Sequence, residues 1–221
     1  MNTLVLFARW PEPGRVKTRL SPALPPALAC ALHRAMLDDA LWSSLSARAD
    51  RRVVAWAEAP AFSMGTPVPG GFEQAAQRGA DLGARLAAAF AEQLTGPGER
   101  VVVIGSDCPE LSASDLDAAF DALGTCDLAV GPSRDGGFWL VGLSRPAPQV
   151  FDGVAWSTDR ALSGMLGNAA AAGLSVARLA TRADVDTPAD LVRLIAALAR
   201  PPARARFTRG SLSAMGLLPA A

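Results

Sequence analysis

The chain has 221 residues, of which 50% are apolar and 19% are charged, and its 21 basic residues balance its 21 acidic ones. This composition is typical of a globular protein, and the length predicts one domain with a sizeable core. Zero net charge argues against a general nucleic-acid or membrane-surface binder, which normally carries a basic excess, and no segment approaches the roughly 18–20 uncharged apolar residues of a membrane span.

Predicted strands and helices alternate along the chain. In order they are a strand over Thr3–Ala8, a helix over Pro25–Ala47, a strand over Arg52–Ala57, a loop over 58–72, a helix over Asp81–Leu94, a strand over Val101–Gly105, a helix over Ser112–Leu123, strands over Leu128–Val130 and Phe138–Val141, a helix over Asp159–Ala172, a strand over Leu174–Leu179 and a helix over Thr187–Ala199. The helix boundaries come from capping residues, such as Thr187, Pro188 and Asp190 at the start of the last helix. The first strand has no basic segment before it, so no signal peptide is expected.

The apolar runs of the predicted strands are continuous rather than alternating. Such runs are typical of a mostly parallel sheet that is covered by helices on both faces, an α/β fold. Ligands of these sheets bind beyond the carboxyl ends of the strands, so functional residues are expected just after strands. We expect a single domain over residues 1–199. Residues 200–221 contain Pro, Gly and four Arg without a clear period, and are expected to form a loosely packed C-terminal tail.

A loop with three clustered cations follows the first predicted strand. Residues 9–20 (RWPEPGRVKTRL) contain Arg15, Lys17 and Arg19, and Lys17 is the only lysine in the chain. Gly14 allows the backbone to approach a ligand closely. This combination indicates a phosphate or pyrophosphate site, in which Lys17 is expected to be exposed. The spacing matches neither a Walker A loop nor G-x-G-x-x-G, and the alternative is a solvated basic turn.

The buried strand VVVIG ends in Gly105, and Asp107 follows it after one residue, Ser106. An acid at the carboxyl end of a strand, opposite a cationic loop, is placed to hold Mg²⁺ or Mn²⁺ that bridges phosphate oxygens. Asp is also common before turns, so a purely structural role is the alternative. Asp184 and Asp186 precede the last predicted helix, where one of them could complete the metal site or simply stabilise the helix through its dipole.

Asp135, Gly136 and Gly137 lie between two predicted strands, in the segment GPSRDGGFWL. The paired glycines suit a close approach of the backbone to a ligand. Asp135 either binds a sugar hydroxyl or orders the turn, and the residues leave both interpretations open.

The cysteines and the single histidine suggest no site of their own. Cys30, Cys108 and Cys126 are scattered without a C-x-x-C pair, so neither a disulfide framework nor a zinc site is expected, and a cytoplasmic location is the default. His33 lies within the first predicted helix, away from the strand ends. We therefore expect it to be a structural or surface residue without a part in catalysis.

Six stretches, in order over residues 4–191, resemble the glycosyltransferase-A-like superfamily of nucleotide-diphospho-sugar transferases. They are FARWPEPGRVKTRL, QRGADLGARLAAAF, VVVIGSDCPEL, VGPSRDGGFWLVGL, VAWSTDRAL and DVDTPADL. Within the superfamily, the chain is most similar to a bacterial group described as arsenosugar-biosynthesis or selenodomain-associated glycosyltransferases. The superfamily also includes guanylyltransferases with the same layout of loop, acid and DTPxDL.

The resemblance implies a three-layer α/β/α nucleotide-binding fold with a divalent metal, and it suggests a role for each matched residue. These roles are Gly14, Arg15, Lys17 and Arg19 at the diphosphate; Gln77, Asp81 and Gly83 near the base or ribose; Asp107 and Asp186 as metal ligands; and Asp135, Gly136 and Gly137 facing the sugar or acceptor. Lys17, Asp107 and Asp135 are the residues expected to act in the reaction itself. The usual D-x-D is missing after the strand VVVIG, where the chain has only Ser106-Asp107-Cys108.

Three functions remain open at this point. The first is a glycosyltransferase that moves a sugar from a nucleotide diphosphate to a small acceptor, which the resemblance favours. The second is a nucleotidyltransferase that releases pyrophosphate, which the cationic loop and the missing D-x-D favour. The third is a nucleotide-binding protein without catalysis. The released product separates them, and the sequence predicts no oligomeric state.

Overall fold

A computed structural model of the chain describes residues 1–21, 23–58, 68–200 and 204–219. The strands are β1 (Asn2–Ala8), β2 (Arg51–Trp56), β3 (Glu73–Ala76), β4 (Arg100–Gly105), β5 (Leu128–Pro132), β6 (Phe138–Leu143) and β7 (Val176–Arg178). The helices are α1 (Pro26–Ser46), α2 (Leu82–Gln93), α3 (Ala113–Ala122), α4 (Ala161–Ala171), α5 (Pro188–Leu198) and α6 (Arg206–Ala214). Short 3-10 turns cover Thr18–Leu20 and Pro148–Phe151.

The strands pair into one sheet in the order β3-β2-β1-β4-β6-β5-β7. The pairs β3–β2, β2–β1, β1–β4 and β5–β7 are parallel, and β6 runs antiparallel to both β4 and β5. The predicted mostly parallel α/β sheet is therefore confirmed. Because β6 is reversed, its first residue lies at the same edge of the sheet as the last residues of β1 and β4.

Both faces of the sheet are buried, which explains the continuous apolar runs. In β4, Val102 and Ile104 pack into a core with α1 and α3, while Val101 and Val103 pack into a second core with α2 and α4. Alternate residues of a strand point to opposite faces, so an entirely apolar strand is stabilised only between two helical layers. The chain thus has the expected three-layer α/β/α architecture.

The predicted strands and helices all occur, with boundaries that shift by a few residues. The strand β3 was not predicted, because Glu73–Ala76 is short and its first two residues are exposed. The predicted loop over 58–72 lies largely outside the described residues. Helix α4 begins two residues later than expected, and Ala172 and Gly173 end it as predicted, with Gly173 at φ +66°.

The C-terminal segment is more ordered than the sequence indicates. In residues 204–219 the helix α6 packs on α1 and buries Leu212, while Leu218 beyond it joins the same core. The expectation of a loosely packed segment is therefore wrong for these residues. The division into a domain over residues 1–199 and a tail stays a prediction.

Among the helices in the described ranges, none combines the length and apolar character that a membrane crossing requires.

Candidate active site

A cleft of about 660 Å³ opens at the carboxyl ends of the parallel strands. Its walls come from the loop after β1, the residues that follow β4, the start of β6 and the first turn of α2. Parallel α/β sheets bind their ligands at this edge. The volume is within the range of ordinary small-molecule sites, so the cleft is the candidate active site.

Lys17 lies at the centre of the cleft between two carboxylates. Its Nζ is 2.5 Å from Oδ1 of Asp107 and 2.9 Å from Oδ1 of Asp186. The Lys17 side chain is only 5% exposed, so the expectation of an exposed lysine is wrong. The reason is that its backbone takes the left-handed conformation, with φ of +50°, and the loop folds into the cleft rather than away from it.

The Lys17 cluster is defined as Lys17 with Asp107 and Asp186, and its ion pairs keep Lys17 and Asp107 charged at neutral pH. Burial lowers the pKa of Lys17, but the attraction of the two carboxylates outweighs burial and the net pKa is raised. Burial likewise raises the pKa of Asp107, but the Lys17 ammonium outweighs it and the net pKa is lowered. Two carboxylates whose oxygens converge on one cation are an arrangement that can also bind a metal ion.

Asp107 and Asp186 fit a Mg²⁺ or Mn²⁺ ion that is shared with a ligand. Their oxygens already converge on one cation, the Lys17 ammonium. The described residues hold no group of three or more His, Cys, Asp or Glu side chains that could bind a metal by themselves. Mg²⁺ is usually held by one or two carboxylates, with substrate phosphates and water as its other ligands. The cluster matches that pattern.

Asp184 pairs with Ser133, whereas the carboxylates within ion-pair distance of Lys17 are Asp107 and Asp186. Oδ2 of Asp184 accepts a hydrogen bond of 2.9 Å from the hydroxyl of Ser133, which is buried. Burial, together with the nearby charges of Asp107, Asp135 and Asp186, raises the pKa of Asp184 to about 7, against the effect of the Ser133 hydrogen bond. Of the two predicted candidates, Asp186 is therefore the one that joins the Lys17 cluster.

The remaining cations of the loop are exposed around the Lys17 cluster. Arg19 is 71% exposed, with its Nη1 3.8 Å from Oδ2 of Asp186. Arg15 pairs through Nη2 with Glu58 at 3.0 Å. Both arginines line the cleft and are available to a ligand at the cost of weak, solvent-exposed ion pairs. Gly14 takes φ of +81°, a conformation that favours glycine, and no atom lies near where its Cβ would be.

The residues implied at the base or ribose have different positions. Gln77 lines the cleft after β3 and donates its side-chain amide to the Ala55 carbonyl at 2.8 Å. Asp81 lines the cleft and caps α2 by accepting from the Ala84 amide at 2.8 Å. Gly83 is buried, and a Cβ there would lie 2.5 Å from Nε1 of Trp156. Gly83 therefore supports the wall of the cleft rather than lining it.

Asp135, Gly136 and Gly137 form a tight turn before β6. Oδ1 of Asp135 accepts from the Gly137 amide at 3.0 Å. Gly136 has φ of +86°, and a Cβ there would lie 2.1 Å from the Asp159 carbonyl oxygen. These contacts explain all three as turn residues, and Phe138 and Trp139 are the residues of this segment that line the cleft. The role of Asp135, Gly136 and Gly137 toward a sugar or acceptor stays a prediction.

Sequence reasoning missed several residues of the cleft, above all His33. This side chain is buried, lines the cleft, and donates from Nε2 to the Arg9 carbonyl at 3.1 Å. Burial lowers its pKa, so the ring is neutral. The expected position away from the strand ends is wrong, because α1 runs past the end of β1. No local pattern reveals this, since it depends on how α1 packs.

The comparisons with known proteins agree with this fold. A family described as "Uncharacterized protein conserved in bacteria (DUF2064)" matches residues 41–158. A sequence search of curated proteins finds no match. A Desulfovibrio desulfuricans G20 protein of known structure, described as a "putative nucleotide-diphospho-sugar transferase", is 28% identical, with a TM-score of 0.87 over 97% of this chain and 96% of that chain.

More distant solved structures share the fold alone. A manganese complex of Rv0371c from Mycobacterium tuberculosis H37Rv is 22% identical, with a TM-score of 0.53 over 87% of this chain and 96% of that chain. CMP:2-keto-3-deoxy-manno-octonic acid synthetase in complex with CTP is 14% identical, with a TM-score of 0.55 over 87% and 96%. Together the comparisons support the superfamily, while the narrower arsenosugar-associated group stays a prediction.

Proposed function

The chain belongs to the DUF2064 family, and we propose from its cleft that it is a metal-dependent glycosyltransferase. It takes a sugar from a nucleotide diphosphate and transfers it to a small acceptor. The observation that carries the proposal is the Lys17 cluster, in which Nζ lies 2.5 Å and 2.9 Å from two carboxylates at the floor of a nucleotide-sized cleft.

The loop cations stabilise the leaving diphosphate. When a sugar departs, negative charge builds on the diphosphate oxygens, and fixed cations lower the energy of that state. Lys17 is held in place by its two carboxylates, and Arg15 and Arg19 lie around it at the mouth of the cleft. A fixed ammonium needs no reorganisation as the charge develops, so Lys17 contributes most.

Asp107 and Asp186 would hold the divalent ion, Mg²⁺ or Mn²⁺. When bound, such an ion supplies Lewis-acid stabilisation of phosphate oxygens. Their oxygens lie 2.5 Å and 2.9 Å from Nζ of Lys17, so an ion held by them would lie beside a diphosphate that binds Lys17. The manganese complex of the Mycobacterium tuberculosis protein, which shares the fold, supports a divalent metal.

The unpaired thiols of all three cysteines support a reducing, cytoplasmic location.

A nucleotidyltransferase that releases pyrophosphate is the second candidate. Directly after β4 the chain reads Ser106-Asp107-Cys108 in place of a D-x-D, so Asp107 is the only acid of these three residues, and Cys108 is buried. Three cations within five residues also suit a triphosphate. A nucleotidyl transferase from Methanothermobacter thermautotroptrophicus shares the fold, with a TM-score of 0.57 at 14% identity.

Identification of the released product tests the proposal. The protein is incubated with Mn²⁺ and either nucleotide sugars or nucleoside triphosphates, with a mixture of small acceptors. A nucleoside diphosphate from a nucleotide sugar supports the glycosyltransferase, pyrophosphate from a triphosphate supports the second candidate, and neither product contradicts both. Asp107→Asn is expected to abolish formation of the product. An equal loss of product in Asp135→Asn would show that Asp135 takes part in the reaction and does not only order the turn.

A further inference from the structure

The cleft continues beyond the Lys17 cluster to an aromatic wall. Phe138 opens β6, and Trp156 lies in the segment before α4; both line the cleft. Their ring centroids are 6.3 Å apart at an interplanar angle of 75°, an edge-to-face contact. The sheet order places Gln77, after β3, at one end of the cleft and Phe138, at the start of β6, at the other, with the ends of β1 and β4 between them.

The indole of Trp156 is held rigidly. Phe151 packs against it at 6.5 Å, and the first turn of α2 approaches so closely that a Cβ on Gly83 would lie 2.5 Å from Nε1. The next residue, Ser157, also lines the cleft and takes φ of +62°, a conformation rare for a residue with a Cβ. Such backbone conformations persist where the surrounding structure fixes them, often at binding sites.

No described residue accepts a hydrogen bond from the indole N–H of Trp156, and the residue lines the cleft and is only partly buried. The neighbouring Trp139 differs, because its Nε1 donates to the Ala180 carbonyl at 3.1 Å. An indole is a donor only, so Trp156 selects for an acceptor atom beside an aromatic face.

We propose that Trp156 and Phe138 form the subsite for the non-nucleotide half of the substrate, and that this half is a polyhydroxylated, sugar-like ring. The ring places an apolar C–H face on the aromatic wall and accepts the Trp156 N–H through a hydroxyl oxygen. The inference rests on the proposed function, since the diphosphate at the Lys17 cluster is what joins the two halves. It holds for a glycosyltransferase and for a nucleotidyltransferase, because both reactions involve a nucleotide that is joined through phosphate to a second group.

The test compares affinities for nucleoside diphosphates and for their hexose conjugates. Calorimetry with Mn²⁺ uses ADP, GDP, UDP and the corresponding glucose conjugates on the wild type, Trp156→Phe and Trp42→Phe. Phenylalanine keeps an aromatic face but lacks the N–H. We expect Trp156→Phe to weaken the preferred conjugate about fivefold, the scale of one hydrogen bond, and to leave the diphosphate affinity within about twofold.

Trp42→Phe is the matched control, because Trp42 lies on α1 outside the cleft and is 57% exposed. It should change neither affinity. Phe138→Leu removes the second aromatic face without touching the N–H, and should also weaken only the conjugate. Thermal denaturation of each variant confirms the fold.

Two results overturn the inference while leaving the proposed function intact. One is an equal loss of both affinities in Trp156→Phe, which would place the nucleotide base on the wall. The other is a wild type that binds the conjugate no better than the diphosphate. A wild type that binds no nucleoside diphosphate at all overturns the proposed function and the inference with it.

Discussion

The side chain of Lys17 is almost completely buried, and its charge is balanced by Asp107 and Asp186 rather than by solvent. A buried ammonium without partners would lose its proton, because burial favours the neutral amine. The two carboxylates keep it charged, so the loop is prepared for a phosphate before any ligand arrives. Lys17 is thus both a structural cation of the cleft and a candidate phosphate ligand.

Replacement of Lys17 by alanine should weaken nucleotide diphosphate binding by about 10- to 150-fold, equivalent to about 1.5–3 kcal/mol for a charge-assisted hydrogen bond. The unfolding free energy should also fall, because Asp107 and Asp186 lose their shared cation. Calorimetry and urea denaturation measure the two effects. Arg19→Ala, which removes an exposed cation, serves as the control and should cost less of both. Unchanged nucleotide affinity in Lys17→Ala would contradict the phosphate role.

Asp184 gives a pH dependence of stability. Its folded pKa of about 7 lies above the ordinary aspartate value of about 3.9, so the folded state holds the proton more tightly than the unfolded state. The stabilisation from this group is complete below about pH 4 and is lost as the pH rises through 7. Asp184→Asn has no proton to lose and can still accept the Ser133 hydrogen bond.

We therefore expect Asp184→Asn to gain stability relative to the wild type between pH 4 and pH 8, by at least about 1.4 kcal/mol, the equivalent of one pKa unit. Urea denaturation at both pH values, with a chelator present, measures the gain. A difference between variant and wild type that does not change with pH would show that Asp184 titrates normally in the folded chain.

At the scale of elements, α6 depends on a cap from a distant helix. The residue before α6, Ala205, has no side chain that could cap it. Instead, the buried Asp39 of α1 accepts from the amides of Phe207 at 3.0 Å and Thr208 at 2.8 Å. A carboxylate at a helix N-terminus satisfies free N–H groups and interacts favourably with the helix dipole.

Asp39→Ala should lower the unfolding free energy by about 1–3 kcal/mol, because it leaves two amides of α6 without their acceptor. Asp38→Ala is the matched control on the same helix, since within the described residues Asp38 forms a partly exposed ion pair with Arg34. Urea denaturation of both variants measures the difference. An equal, small effect of the two would mean that α6 does not need the cap.

Asp39 also shows why sequence reasoning found some elements and missed others. Helix α5 carries its own capping residues, Thr187 and Asp190, so its start could be predicted within a residue. The cap of α6 comes from α1, at the other end of the sequence, and no window of neighbouring residues contains it. The strand β3 was missed because its pairing with β2 rather than its composition makes it a strand.

The same distinction applies to the cleft. Lys17 lies in the loop after β1 and Asp107 follows the end of β4, so the rule that ligands bind at carboxyl ends of strands was sufficient to select them. The burial of Lys17 could not be predicted, because it depends on the left-handed conformation of this residue and on Asp186 arriving from a distant loop. Trp156 belongs to the matched stretch VAWSTDRAL, but the sequence assigned it no role. Its place in the wall of the cleft depends on packing against Gly83 and Phe138, which no local pattern shows.

At the scale of the whole molecule, the sheet order brings the site together. Parallel β1 and β4 are neighbours, so the cationic loop after β1 and Asp107 after β4 meet at one edge. The reversed strand β6 adds its first residue to the same edge, and Asp186 arrives from the segment before α5. Diphosphate, metal and second substrate half would therefore lie in a row across the strand ends.

We expect Asp107 to couple the binding of a divalent metal to the binding of a nucleotide beside Lys17. Calorimetric titration of the preferred nucleoside diphosphate, with and without Mn²⁺, into the wild type and Asp107→Asn tests it most directly. We predict that Mn²⁺ tightens nucleotide binding to the wild type by about 5- to 150-fold, the usual range of coupling between two sites, and that Asp107→Asn loses this effect while it keeps the fold. If Mn²⁺ does not change the nucleotide affinity of the wild type, or changes that of Asp107→Asn equally, Asp107 does not couple the metal to the nucleotide.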